Sequence, residues 1–209
     1  QNALYFNTTG NENTAVGKDA LLTNVTGNNN VAIGYQSLYN NTVGPNIALG
    51  YYALRANTTA IFNVGIGYRA LGSTTIGGSN IGIGSDALLS TSTGKENVAI
   101  GHSALWLNTI GLRNTGVGYA SMADNTTGAY NTAVGYVSLG DNTIGTYNVA
   151  VGYQALRQNT TGSYNTAVGH LSLFSSVTAQ YNVAVGNKTL WANTTGQYNT
   201  SVGYEALRD

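Results

Sequence analysis

The chain has 209 residues, of which 8% are charged, eight basic against eight acidic, with one Pro and no Cys. That balance leaves no basic footprint for nucleic acid and no thiol for disulfide or nucleophilic chemistry. No apolar run approaches the ~18 residues of a membrane-spanning helix, so no membrane insertion is expected of this segment.

From the first residues onward the sequence repeats. Taking the glycine of each V-G, I-G or L-G pair as position zero, it recurs at Gly17, Gly34, Gly50, Gly67, Gly84, Gly101, Gly118, Gly135, Gly152, Gly169, Gly186 and Gly203. The interval is constant, that from Gly17 to Gly34, except between Gly34 and Gly50, where one residue is missing beside Pro45. A fixed period of this kind, running through the whole chain, predicts a single repeat domain over 1–209. With no capping sequence at either end, it reads as a piece of a longer fibre.

Within each copy the first predicted element is a strand ending at the glycine. Four residues before it stands Asn in all twelve copies: Asn13, Asn30, Asn46, Asn63, Asn80, Asn97, Asn114, Asn131, Asn148, Asn165, Asn182 and Asn199. Position −3 is β-branched, −2 is Ala, Gly or Ser, and −1 is Val, Ile or Leu49. The alternation predicts a short strand with its β-branched residues on one face. A second short apolar piece follows, with Leu (once Met122) at +4. The copy closes on N-T-T-G or a variant, which reads as a turn. One or two short strands plus turns in so short a copy make the rung of a parallel β-solenoid, in which like residues stack from rung to rung. Gly, Asn, Thr and β-branched residues at these densities make poor helix. The expected payload of each rung is two β-branched residues and one Leu, thin enough to point to stability shared among chains.

The Asn column has two structural readings. Stacked amides satisfy one another as a ladder, or each Asn forms the turn at a strand entry; neither makes a binding site. All sixteen charges fall on positions +1, +2, +5, +6, +11 and +12, which maps the outside of the rod. The N-T-T-G segment carries none, as a tight turn or as a face against another copy. Tyr follows the glycine at Tyr35, Tyr51, Tyr68, Tyr119, Tyr136, Tyr153 and Tyr204, a candidate contact face. A second Tyr column precedes the Asn from Tyr130 to Tyr198.

Catalytic and metal chemistry has no foothold in the sequence. The two histidines, His102 and His170, lie four rungs apart, and no pair of carboxylates is placed for acid–base work. No catalytic residue, metal ligand or cofactor is therefore expected. Eight N-x-T sequons occur, at Asn7, Asn24, Asn40, Asn57, Asn125, Asn159, Asn187 and Asn193. They arise chiefly because N-T-T is the turn.

The strand N-V-A-I-G, at Asn30–Gly34 and again at Asn97–Gly101, resembles the signature strand of the YadA-like head repeats of trimeric autotransporter adhesins. Similar N-T-A-V-G-Y repeats occur in bacteriophage tail-fibre proteins. The resemblance implies a left-handed parallel β-roll, three chains side by side as a homotrimer, and attachment to a host-surface receptor or glycan from a cell surface or virion. The adhesin coil is shorter than the repeat found here, which spans Gly118 to Gly135 and its equivalents. The function expected is thus a non-enzymatic structural or adhesive segment of an extracellular fibre, with a phage tail-fibre shaft as one alternative. A further alternative is an ice-binding or single-chain solenoid, although Val43, Ile76, Ile110 and Ile144 interrupt the threonine array such a face needs.

Overall fold

The computed structural model describes residues 2–208 and is all-β, a parallel β-solenoid. Its strands are β1 (Thr14–Val16), β2 (Val31–Ile33), β3 (Ile47–Leu49), β4 (Val64–Ile66), β5 (Ile81–Ile83), β6 (Val98–Ile100), β7 (Thr115–Val117), β8 (Thr132–Val134), β9 (Val149–Val151), β10 (Thr166–Val168), β11 (Val183–Val185) and β12 (Thr200–Val202). They form one parallel sheet in sequence order. Register keeps equivalent positions opposite one another, as in Thr132↔Val149, Ala133↔Ala150 and Val134↔Val151. Among the described residues there is no helix, so none is long and apolar enough to cross a membrane.

Only one of the rung's three sides is strand. Along the second, positions +1 to +6, hydrogen bonds still run from rung to rung. In the rung of Gly84 the Leu88 amide donates to the Ala104 carbonyl of the next rung at 3.0 Å, and the Asp86 amide donates to the Tyr68 carbonyl of the previous rung at 2.9 Å. The backbone achieves this by turning left-handed at Asp86 (φ 58°) and Leu88 (φ 52°). The third side contains the N-T-T-G segment. There Thr75 donates its amide to the Ser92 carbonyl at 3.2 Å, and Ser79 (φ 60°) donates back to Ile61 at 3.0 Å. Three left-handed non-glycine residues per rung carry a cost of ~1–2 kcal/mol each. Neighbouring rungs repay it by pairing the freed amides and burying the leucines.

The core corrects the expected direction of the strand. Position −2 points inward, so Ala32, Ala99, Ala133 and their equivalents are fully buried. The β-branched residues at −3 and −1 point outward: Ile47 is 43% exposed and Val16 57%. Inside, the +4 leucines from Leu21 to Leu173, with Met122, stack at zero exposure above the small +3 residues. The reason is width. A coil this short leaves a lumen filled by one Leu per rung from the second wall, and only Ala, Gly or Ser fits opposite it. The payload is therefore one Leu and two small residues, with no β-branched side chain from the strand.

The remaining interior is amide. The −4 asparagines lie with side chains inside, and each Oδ1 accepts the backbone amide of the next Asn, as in Asn148 N to Asn131 Oδ1 at 2.9 Å. Nδ2 donates to the carbonyl that closes the same copy's third side, as in Asn131 to Gly145 at 2.8 Å. A second ladder, at +7, went unread in the sequence. Asn125, Asn142 and Asn159 each donate Nδ2 to the Oδ1 of the Asn one rung before, at 2.7–2.8 Å. The N-T-T-G segment thus lacks charge because its Asn is interior. Its +8 Thr is also committed to backbone, as in Thr126 Oγ1 donating to Thr143 O at 3.0 Å.

Where the second ladder breaks, polar atoms are stranded. Ser176 Oγ is buried without a partner, and so is Asn159 Oδ1 beneath it. Ser176→Asn is expected to restore the chain, its Nδ2 donating to Asn159 and its Oδ1 accepting from Asn193. The alanine at Ala179 is no obstacle, since Asn57 donates to Ala60 in the same arrangement at 3.0 Å. A gain of about 1–2 kcal/mol should appear as a higher urea midpoint with an unchanged slope.

Candidate interaction faces

The outward residues of the sheet make the largest continuous surface with a common character. Two columns of Val, Ile, Leu and Thr run the length of the rod, which spans roughly 58 Å at ~4.8 Å per rung. On either side stand the tyrosines of positions −5 and +1. In the last five rungs these four columns, from Tyr130, Thr132, Val134 and Tyr136 to Tyr198, Thr200, Val202 and Tyr204, contain no charge. Charges lie elsewhere on exposed or half-buried positions, pairing across rungs as in Arg69–Asp86 at 2.8 Å and Arg113–Glu96 at 2.7 Å. Such exposed pairs contribute little stability. At Asp141 partial burial raises the carboxyl above its ordinary range, Arg157 at 3.9 Å opposes the shift, and Asp124 adds to it.

The +1 column is a set of ring stacks. Tyr35, Tyr51 and Tyr68 stack at 5.1 and 5.4 Å between centroids, and Ser85 then interrupts them. Beyond it His102, Tyr119, Tyr136, Tyr153 and His170 form one stack at 5.2–5.3 Å. The two histidines are thus its end members, and Tyr204 stands apart beyond Asn187. Tyr51 also packs on Tyr52, whose hydrogen bond helps push the Tyr51 phenol up to about 12. The −5 column is more regular still, Tyr130 to Tyr198 stacking at 4.8–5.0 Å and within 7° of parallel. Rings stacked in this way give their faces to each other. Solvent meets their edges and hydroxyls, so a sugar ring finds an open aromatic face only at the ends of a stack.

The short rung makes the one lapse in periodicity. Pro45 occupies the place of two residues, and a cavity of about 300 Å³ opens on the sheet face between Val31, Ile47, Val64, Pro45 and Phe62. Phe62 is 59% exposed beside it. Among the described residues no three His, Cys, Asp or Glu side chains gather as a metal site. Four sequon asparagines, Asn24, Asn57, Asn125 and Asn159, are fully buried in the second ladder. In the folded chain a glycosylating enzyme cannot reach them.

Ten of the twelve −4 asparagines are therefore interior, with Asn13 and Asn199 half-buried at the two ends, and the seven +1 tyrosines lie along one outer edge of the sheet. The outward apolar columns were missed as a surface because alternation alone does not say which face is inside. Comparison with family models, curated proteins and solved structures finds no match to this chain.

Proposed function

We propose that this chain is a non-enzymatic segment of an extracellular fibre that associates side by side as a homotrimer and serves attachment. The observation that carries the reading is the outward β-branched face. Parallel sheets normally have both faces covered, and an uncharged apolar strip of this length is a surface for another protein. The strip is about 58 Å long and on the order of 14 Å wide, roughly 800 Å² per chain, the size of a stable protein interface. Its flat, periodic profile is complementary to itself, which favours a second copy as the partner. The stacked tyrosines at its margins would then meet a receptor or glycan through hydroxyls and ring edges. An adhesin segment and a tail-fibre shaft use the same rung, and the resemblance of N-V-A-I-G to the adhesin heads supports the first.

Light scattering during size exclusion tests the assembly. The expected mass is three times 21.7 kDa, and Val151→Lys, a change on the exposed face of β9, is expected to give 21.7 kDa with the far-ultraviolet circular dichroism unchanged. A monomeric parent chain would overturn the homotrimer and favour a solenoid that works alone.

A further inference from the structure

We propose that the tyrosine column from Tyr130 to Tyr198 is an oxidative cross-linking site, at which a one-electron oxidant joins phenols of neighbouring rungs into dityrosine. The inference concerns a single chain and does not rest on the assembly proposed above.

Three observations converge. The five rings are preset as reaction partners, with centroids 4.8, 5.0, 5.0 and 5.0 Å apart and planes 0–7° from parallel. They are exposed, from 39% at Tyr130 to 74% at Tyr198, which leaves room for two rings to swing edge to edge; Tyr130 alone is held from outside, by Arg113 Nη1 donating to its hydroxyl at 3.1 Å. The groups that usually intercept oxidants are missing: the chain has no Cys, and its one methionine, Met122, is fully buried. The two tryptophans lie in a different column, at +5.

The chemistry balances within the pair. Each phenol gives one electron to an oxidant molecule, such as photogenerated ruthenium(III) or a peroxidase intermediate, and its hydroxyl proton to water. Spin spreads to the ring carbons beside the oxygen, the two Cε positions. A Cε–Cε bond forms between neighbouring radicals, and the hydrogen on each of those two carbons then passes as a proton to its own ring's oxygen, so that both phenols are restored. Two phenols have then lost two hydrogens, and two oxidant molecules have each gained one electron. Holding the rings one rung apart makes the coupling intramolecular, which raises its rate over encounter between chains. The product staples adjacent rungs.

The test uses the whole chain at low concentration, oxidised by light with a ruthenium tris-bipyridyl complex and persulfate. Trypsin leaves Tyr147 in fragment 114–157, Tyr164 and Tyr181 in 158–188, and Tyr198 in 189–208. Expected are the joined fragments 114–157 with 158–188, and 158–188 with 189–208, each lighter than the sum by two hydrogens. In Tyr147→Phe/Tyr181→Phe the stack keeps its rings but the remaining phenols stand two rungs apart. The joined fragments should fall by on the order of tenfold, while blue dityrosine fluorescence from the +1 column persists. The proposal is overturned if free tyrosine couples in the same solution but the chain does not. It is equally overturned if the double variant couples as well as the parent, or if denaturing gels show chains joined to one another.

Discussion

Gly84→Ala is expected to cost on the order of 3–5 kcal/mol and to disrupt the rungs on both sides, whereas Gly82→Ala, two residues earlier, should cost less than about 1 kcal/mol. Both glycines belong to one rung and both would receive the same methyl group. Gly84 has φ +130°, a region L-residues rarely enter, and its Cβ would lie 2.5 Å from the carbonyl oxygen of Gly101 in the next rung. That oxygen is backbone held in a ladder and has nowhere to go. Gly82 points into the lumen, where a Cβ would meet Ala87 O and Leu71 Cγ at 3.2 Å. The next rung already carries Ala99 there, fully buried, so a shift of a few tenths of an ångström in Leu71 suffices. Paired urea titrations, with the difference between the two midpoints as the readout, check the contrast. Equal costs would mean that the closeness of successive rungs is not what keeps position zero glycine.

Asn131→Leu should be nearly as severe, at roughly 2–4 kcal/mol, although Leu has a similarly branched shape and far greater apolarity. Asn131 is 1% exposed and makes five hydrogen bonds, two through its backbone and three through its side chain. Three are lost with the amide. The Asn148 amide is then buried without a partner, at ~1–3 kcal/mol, the Gly145 carbonyl keeps only Asn142 Nδ2 at 3.2 Å, and Asn114 Oδ1 loses one of its two donors. Hydrogen exchange separates this account from simple misfit. The Asn148 amide should lose protection selectively, while amides two rungs away keep theirs. Uniform loss along the rod would instead mean that the ladder acts only through global stability.

These two columns also mark how far the sequence could be read. Period, parallel stacking and the interior Asn are written in invariant positions, and each has a simple chemical reason. The direction of the strand is not so written. In Asn131–Gly135 the large side chains Thr132 and Val134 look like the core and the small Ala133 looks like the rim, yet Leu139 arrives from the other wall and takes the space. The second ladder was hidden because Thr74, Thr91 and Ser176 break it, and because N-T-T-G has the composition of an ordinary turn. The left-handed turns at +2 and +4 were illegible for a different reason. Leu88 has no intrinsic preference for positive φ, and only the rung beyond it makes that conformation worthwhile. As for the tyrosines, columns were visible in the sequence, but their stacking geometry decides that edges rather than faces meet the solvent.

The constant register has a kinetic consequence. Every strand pairs with the strand one repeat away, as Thr115 with Thr132, or one residue nearer across the short rung, as Val31 with Ile47. Set against the length of the whole chain, that is a relative contact separation of about 0.08, in the range of helical bundles and well below that of most sheet proteins. Parallel sheets are ordinarily slow to fold because distant segments must meet before any pairing rewards them. Here each new rung needs only the one before it. A ribosome adding ~5–20 residues per second delivers a rung about every one to three seconds, far slower than the closing of so short a loop. The rod therefore lengthens as it is synthesised, each finished rung serving as the template for the next.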